Sequence, residues 1–205
     1  MFYFVKTPWF VKRMYRNCVW DIAVEDKTVF LTFDDGPHPE ATPFILDELK
    51  KQDAKATFFC IGKNVAQYPE IYKRVLVEGH RVGNHTHNHL NGWKVSDEEY
   101  FNNIKEAAKY IHSDLFRPPY GRITKFQVAG LSKINYKIIM WDVLSADFDQ
   151  KISSKKCALN VEKNTHKGSI IVCHDSEKAF SKMKEALPQI LNYFINRGFK
   201  FDVIR

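Results

Sequence analysis

Four separated clusters in this 205-residue chain carry side chains able to do chemistry. Asp34 and Asp35 stand side by side after an apolar run, and Gly36-Pro37 turns the chain behind them. Neighbouring residues at a strand end point to opposite faces, so one carboxylate can bind a metal while the other reaches a water. The spacing does not say which does which. His85 and His89 are spaced i, i+4 within Asn84-His85-Thr86-His87-Asn88-His89. On a helical turn that spacing sets both imidazoles on one side, at ligand distance from a common ion, with His87 pointing elsewhere. Two histidines and one carboxylate form a donor set for catalytic zinc or another borderline divalent metal, with positions left for water and substrate. Arg117-Pro118-Pro119-Tyr120-Gly121 is a stiff loop whose guanidinium can orient a carboxylate and keep it ionised. His174 ends the run Ile170-Ile171-Val172-Cys173, where an imidazole can protonate a leaving group near neutral pH. Together these groups point to metal-assisted hydrolysis. One Asp and two His bind the ion, the other Asp takes a proton from the attacking water, and His174 gives one to a departing amine or alcohol.

The elements that must position these groups alternate along the chain. Residues 28–33 and 56–61 read as buried strands, and a short strand surrounds Arg81-Val82-Gly83. Tyr136–Val143, Gly168–Cys173 and Phe199–Ile204 read as further strands. Helices are expected over 41–52, from Pro69 to Gly79, from a Ser96–Glu99 capping box to about Ile111, and over 124–134, 153–164 and 178–196. No linker or low-complexity stretch interrupts the pattern, which argues for one α/β unit with a mostly parallel sheet and a site at the carboxyl ends of its strands.

Composition narrows the classes further. Hydrophobic residues make up 44% of the chain, which excludes a wholly disordered protein. The net charge of +7 is uneven: residues 1–20 carry four basic groups and no acidic one, whereas the middle of the chain is slightly acidic. No Arg/Lys cluster interleaved with aromatics forms a nucleic-acid motif, so no nucleic-acid partner is expected. Cys18, Cys60, Cys157 and Cys173 have neither zinc-knuckle nor redox-pair spacing, and Cys60 and Cys173 are expected as buried free thiols. No 18-residue apolar stretch occurs, so no transmembrane helix is expected. The aromatic, basic segment 1–27 is expected to pack on a catalytic domain formed by 28–205. Contact of residues 1–20 with a membrane surface through Phe, Trp, Lys and Arg is the alternative. Charges interrupt the opening apolar run, so no export signal is read, and a location in the cytoplasm or on the cytoplasmic face of the membrane is expected.

In these motifs the chain resembles the polysaccharide deacetylases, the carbohydrate esterase family built on the nodulation-type deacetylase domain. Thr32-Phe33-Asp34-Asp35-Gly36, Asn84–His89, Arg117–Gly121 and Val172-Cys173-His174 follow that family's motifs in order, from about residue 28 to the end. The resemblance implies a distorted (β/α)7 barrel of one domain. It implies Asp34 as general base, Asp35, His85 and His89 as metal ligands, and Arg117 as the tether of the base. It further implies the Tyr120 N–H as an oxyanion donor and His174 as general acid. Tyr120, Trp141, Phe148 and Val172 are the expected substrate contacts. The implied reaction removes acetyl from N-acetylglucosamine-type units of a polysaccharide with a divalent metal, zinc first and cobalt or manganese as alternatives. Removal of O-acetyl groups, opening of cyclic amides and a carbohydrate-binding pseudoenzyme are the competing readings.

One motif departs from the pattern. Trp-x-x-Asp-x-x-Asp-Trp falls on Trp141, Leu144, Asp147 and Phe148, so the carboxylate that charges the family's catalytic histidine is replaced by Leu144. On this reading His174 loses its opposite charge and its pKa falls, unless Asp142 or Asp175 substitutes.

Overall fold

The computed structural model describes residues 3–205; Met1 and Phe2, the start of the N-terminal segment, lie outside the described residues. β1 (Thr28–Asp34), β2 (Thr57–Cys60), β3 (Arg81–Asn84), β4 (Leu115–Phe116), β5 (Lys137–Ile138), β6 (Val143–Leu144) and β7 (Ile170–His174) form one curled sheet in the order β5-β4-β3-β2-β1-β7-β6. Every neighbouring pair is parallel. A short β8 (Lys200–Phe201) pairs with the start of β1. This is an incomplete, distorted (β/α) barrel, as the sequence motifs imply.

β1 forms because its β-branched and aromatic residues suit a pleated surface buried on both sides. Outside it pack α2 (Ala41–Lys51), α7 (Ser154–Asn164) and α8 (Glu177–Ile195). Ala179, Met183, Ala186, Leu187, Ile190, Leu191 and Phe194 recur at helical spacing on α8, and all are buried in the largest apolar cluster. A second cluster joins α5 (Asp97–Ala107) and α6 (Lys125–Lys133) to β4 and β5. Thr124 closes α6 with a full capping box, whereas Ser96 Oγ caps α5 by accepting from the Glu99 N–H. All four cysteines are buried free thiols.

The expected strand Tyr136–Val143 is the main departure from the sequence reading. It is broken into β5 and β6, which lie at opposite edges of the sheet, so residues 139–142 carry the chain across the barrel seam. The apolar run cannot reveal this, because both halves are strand and only the pairing partner changes, from β4 to β7. The expected strand Phe199–Ile204 is likewise only two residues long. A short α3 (Gly62–Gln67), preceding α4 (Pro69–Val77), has no counterpart in the sequence reading.

The N-terminal segment lies along the seam. The Val19 N–H donates to Ile138 O (2.8 Å) and the Met140 N–H to Val19 O (2.7 Å). On the other edge the Leu144 N–H donates to Val5 O (2.8 Å) and the Thr7 N–H to Asp142 O (2.9 Å). One segment therefore satisfies backbone groups on both edges of an unclosed sheet. Asp142, fully buried between them, accepts from Lys6 Nζ (2.5 Å), Lys12 Nζ (2.8 Å) and Ser169 Oγ (2.6 Å).

Candidate active site and metal centre

The polar side chains converge at the carboxyl ends of β1, β3 and β7. Asp34 is the last residue of β1 and registers directly against His174 on β7. Asp35 follows at φ 87°, a left-handed turn that swings its carboxylate away from Asp34. Beyond β3 the backbone bends rather than entering a helix: Thr86 has φ 63° and His89 φ 56°. The i, i+4 spacing of His85 and His89 thus brings the rings together through a bent loop, with centroids 5.1 Å apart. The loop is held from α5, where Asn103 Oδ1 accepts the N–H groups of His87 and Asn88 at 2.8 and 2.9 Å. His87 turns out of the cluster and stacks on Tyr110.

Asp35, His85 and His89 offer ligand atoms within 4.8 Å of one another. Asp35 Oδ1 lies 3.1 Å from His89 Nε2 and 3.7 Å from His85 Nε2. That oxygen is buried with no hydrogen-bond partner, an orphaned acceptor that a cation would satisfy. Each imidazole is oriented through its other nitrogen: His85 Nδ1 meets Arg117 O at 2.7 Å and His89 Nδ1 meets Tyr120 Oη at 3.1 Å, leaving both Nε2 atoms toward Asp35. Burial lowers the pKa of His85 to about 4, which keeps it neutral as a ligand must be. Burial alone would raise that of Asp35, but the close His89 ring and the other nearby imidazoles hold it well below the usual carboxylate range. The residues present fit a divalent metal.

Arg117 is fully buried, and its four polar contacts fix it. Nη1 donates to Asp34 Oδ1 (2.7 Å) and Thr32 Oγ1 (2.6 Å), Nε to Ile139 O (3.1 Å) and Nη2 to Met140 O (3.0 Å). Its guanidinium also lies 4.0 Å from the centre of the Phe59 ring. Two of these acceptors belong to the seam segment, so barrel closure positions the arginine. Tyr120 sits at φ 60° in a 3-10 turn, and its N–H has no backbone acceptor among the described residues.

The carboxylate of His174 is Asp147. Its Oδ1 meets His174 Nδ1 at 2.7 Å and its Oδ2 accepts the His174 backbone N–H at 2.7 Å. The expectation of a lost partner is therefore corrected. Burial alone would lower the pKa of His174, but the charge of Asp147 and its hydrogen bond raise it to about 10. Neither proposed substitute serves: Asp142 is bound to the N-terminal lysines, and Asp175 accepts from the Gly36 N–H (2.8 Å) and Thr42 Oγ1 (2.6 Å). The motif's first Asp position, Leu144, is not the one that reaches His174; the motif's other Asp, Asp147, does, following Ala146 at φ 62°. The usable signal was Asp147 itself, the motif's second Asp, which the sequence keeps beside Phe148.

Phe148 meets the His174 ring edge-on at 5.4 Å and is backed by Tyr3 at 5.5 Å. Tyr3, Thr7 and Val11 join Tyr120, Trp141 and Leu144 around a groove of about 320 Å³. Val172 does not reach a surface: it is 1% exposed, one layer below His174 on the same face of β7.

Comparison with known proteins places this arrangement. The polysaccharide deacetylase family model matches residues 21–139. A peptidoglycan-N-acetylglucosamine deacetylase of Bacillus cereus is 37% identical over 84% of this chain, which spans 65% of that protein's length, just under two thirds. A second Bacillus cereus protein of the same description is 36% identical over 90% of each. The crystal structure of the Bc1960 peptidoglycan N-acetylglucosamine deacetylase, in complex with an N-hydroxybenzamide, superposes with a TM-score of 0.89. It is 34% identical, covering 97% of this chain and 95% of that one.

Proposed function

Because the chain belongs to the polysaccharide deacetylase family, we propose that it removes N-acetyl groups from N-acetylglucosamine-type units of a polysaccharide, releasing acetate, with peptidoglycan the substrate to test first. The observation that carries this reading is the pairing across β1 and β7: an arginine-tethered carboxylate, Asp34, faces a carboxylate-charged histidine, His174, beside a three-donor metal site.

Asp35, His85 and His89 would hold one divalent cation, zinc on the donor chemistry with cobalt or manganese as alternatives, supplying Lewis-acid polarisation of the amide carbonyl and a more acidic water. The remaining steps fall to the chain's own groups. Asp34, held in place by Arg117, accepts a proton from the attacking water. The Tyr120 N–H donates to the oxygen that gains charge in the tetrahedral transition state. His174, protonated through Asp147, donates from Nε2 to the departing amine, whose poor leaving ability demands that proton. Phe148 fixes the ring of His174, and Tyr120, Trp141 and Leu144 present a partly apolar wall to a sugar ring. Val172 supports this wall from beneath.

Mass-spectrometric product analysis of N-acetylglucosamine oligomers and peptidoglycan fragments, with zinc, cobalt or manganese added, tests the proposal. Loss of acetyl groups is the expected result, and Asp34→Asn should retain metal while losing activity by about 10²–10⁴-fold. Absence of acetate from every N-acetylated sugar, with O-acetyl esters cleaved or not, overturns it.

A further inference from the structure

The N-terminal segment contains a short helix that leaves large apolar side chains in water. In α1 (Trp9–Met14), Lys12 turns inward to Asp142 and Asp21, and Val11 packs on the second apolar cluster. The outward side carries Trp9, Phe10 and Met14, of which Trp9 is 72% and Met14 61% exposed. Phe10 meets Trp9 at 6.3 Å and Phe4 at 6.5 Å, both edge-on, so these side chains form one continuous apolar patch. Arg13 and Arg16 are exposed beside it, and no acidic residue occurs between positions 3 and 20. A surface helix ordinarily buries its aromatics and exposes its lysines. A continuous aromatic patch left in water marks an interaction surface.

We propose that this patch docks on an anionic bilayer surface. Two observations select that occupant. Trp and Phe with a fringe of Arg is the composition that settles at the lipid headgroup boundary. The outward charge is of one sign, complementary to acidic lipid. The helix lies along the seam, pinned by the lysine–Asp142 pairs, so it rests on the surface without crossing it. The same segment lines the groove beside Tyr120, so docking brings that groove close to the bilayer. Neither the surface nor its test depends on the deacetylase reading.

The test is co-sedimentation of the full chain with vesicles of phosphatidylcholine alone, or of phosphatidylcholine mixed with phosphatidylglycerol. Binding to the mixed vesicles is expected, weakening as salt rises. Trp9→Ser with Phe10→Ser should reduce it by about tenfold or more, the scale of removing two aromatic side chains from an apolar contact. Arg13→Glu with Arg16→Glu should do so by a comparable factor, since each basic group near acidic lipid contributes roughly fivefold. Circular dichroism shows whether each double variant is folded, and the second pair carries the test if the first is not. Equal binding to both vesicle types, no binding to either, or unchanged binding by folded variants overturns the proposal. So does a concentration-dependent dimer that the same substitutions dissolve.

Discussion

His85, just past β3, is buried and His174, at the end of β7, is largely covered, both at the mouth of one barrel, and they titrate in opposite directions. Burial disfavours the charged form of each. His85 yields to it and drops to about 4, because burial outweighs the upward pull of the Asp34 and Asp35 charges and of the hydrogen bond to Arg117 O. His174 resists it and rises to about 10, because its Nδ1 faces the carboxylate of Asp147. A directly bonded carboxylate at Nδ1 of one ring and a peptide carbonyl at Nδ1 of the other go with a protonated and a neutral imidazole. The two halves of the site thus use one residue type for opposed tasks, and the backbone around each ring makes the assignment.

The largest way to break this comparison is to remove the acid half. His174→Ala should lower kcat by roughly 10²–10⁴-fold while bound metal, measured by elemental analysis, stays at the wild-type level. A rate within threefold of wild type would mean that His174 gives no proton. Asp147→Asn sharpens the comparison by making the two partners alike. The pKa of His174 should then fall from about 10 toward its ordinary value of 6.5, and the alkaline limb of the pH–rate profile should move to lower pH. The same pair should leave a mark on folding. Its folded pKa lies above the unfolded one, so its stabilising contribution is whole below about pH 6.5 and fades as pH rises through about 10. Melting temperatures across that range should lose this slope in the variant. The smallest effect belongs to the ligand half. Tyr120→Phe removes the hydroxyl at His89 Nδ1 and should weaken metal affinity by about tenfold, read by competition with a chelator, with the metal still bound at saturation.

Much of the site was legible in the chain because its residue types are rare together. Asp34-Asp35, the spaced histidines, the Arg-Pro-Pro-Tyr loop and a histidine ending an apolar strand each have a reason that survives without coordinates. Strand β1 and helix α8 were also readable, since long runs of one period leave little choice. The region from Trp141 to Phe148 was not. The run Tyr136–Val143 reads as one strand, yet the chain changes edge between Ile138 and Val143, and Ala146 just beyond it has φ 62°. The motif's order assigned the carboxylate to position 144, and period-two parity offered Asp142 in its place, whereas the fold presents Asp147. The loop of His85 and His89 met a milder version of the same limit: the pairing was right, and the helical turn invoked for it was not.

The sequence by itself therefore determined which chemical groups the protein has and that they follow strands, because hydrophobic periodicity and residue type are local properties. The tertiary structure alone decided which group faces which. Asp147 meets His174, Arg117 meets Asp34 through a seam that residues 5–19 complete, and Lys6 and Lys12 are drawn inward by Asp142 while Trp9 is left outside. Those pairings join residues far apart along the chain, and a buried charge takes its partner from whatever the fold brings within hydrogen-bond reach.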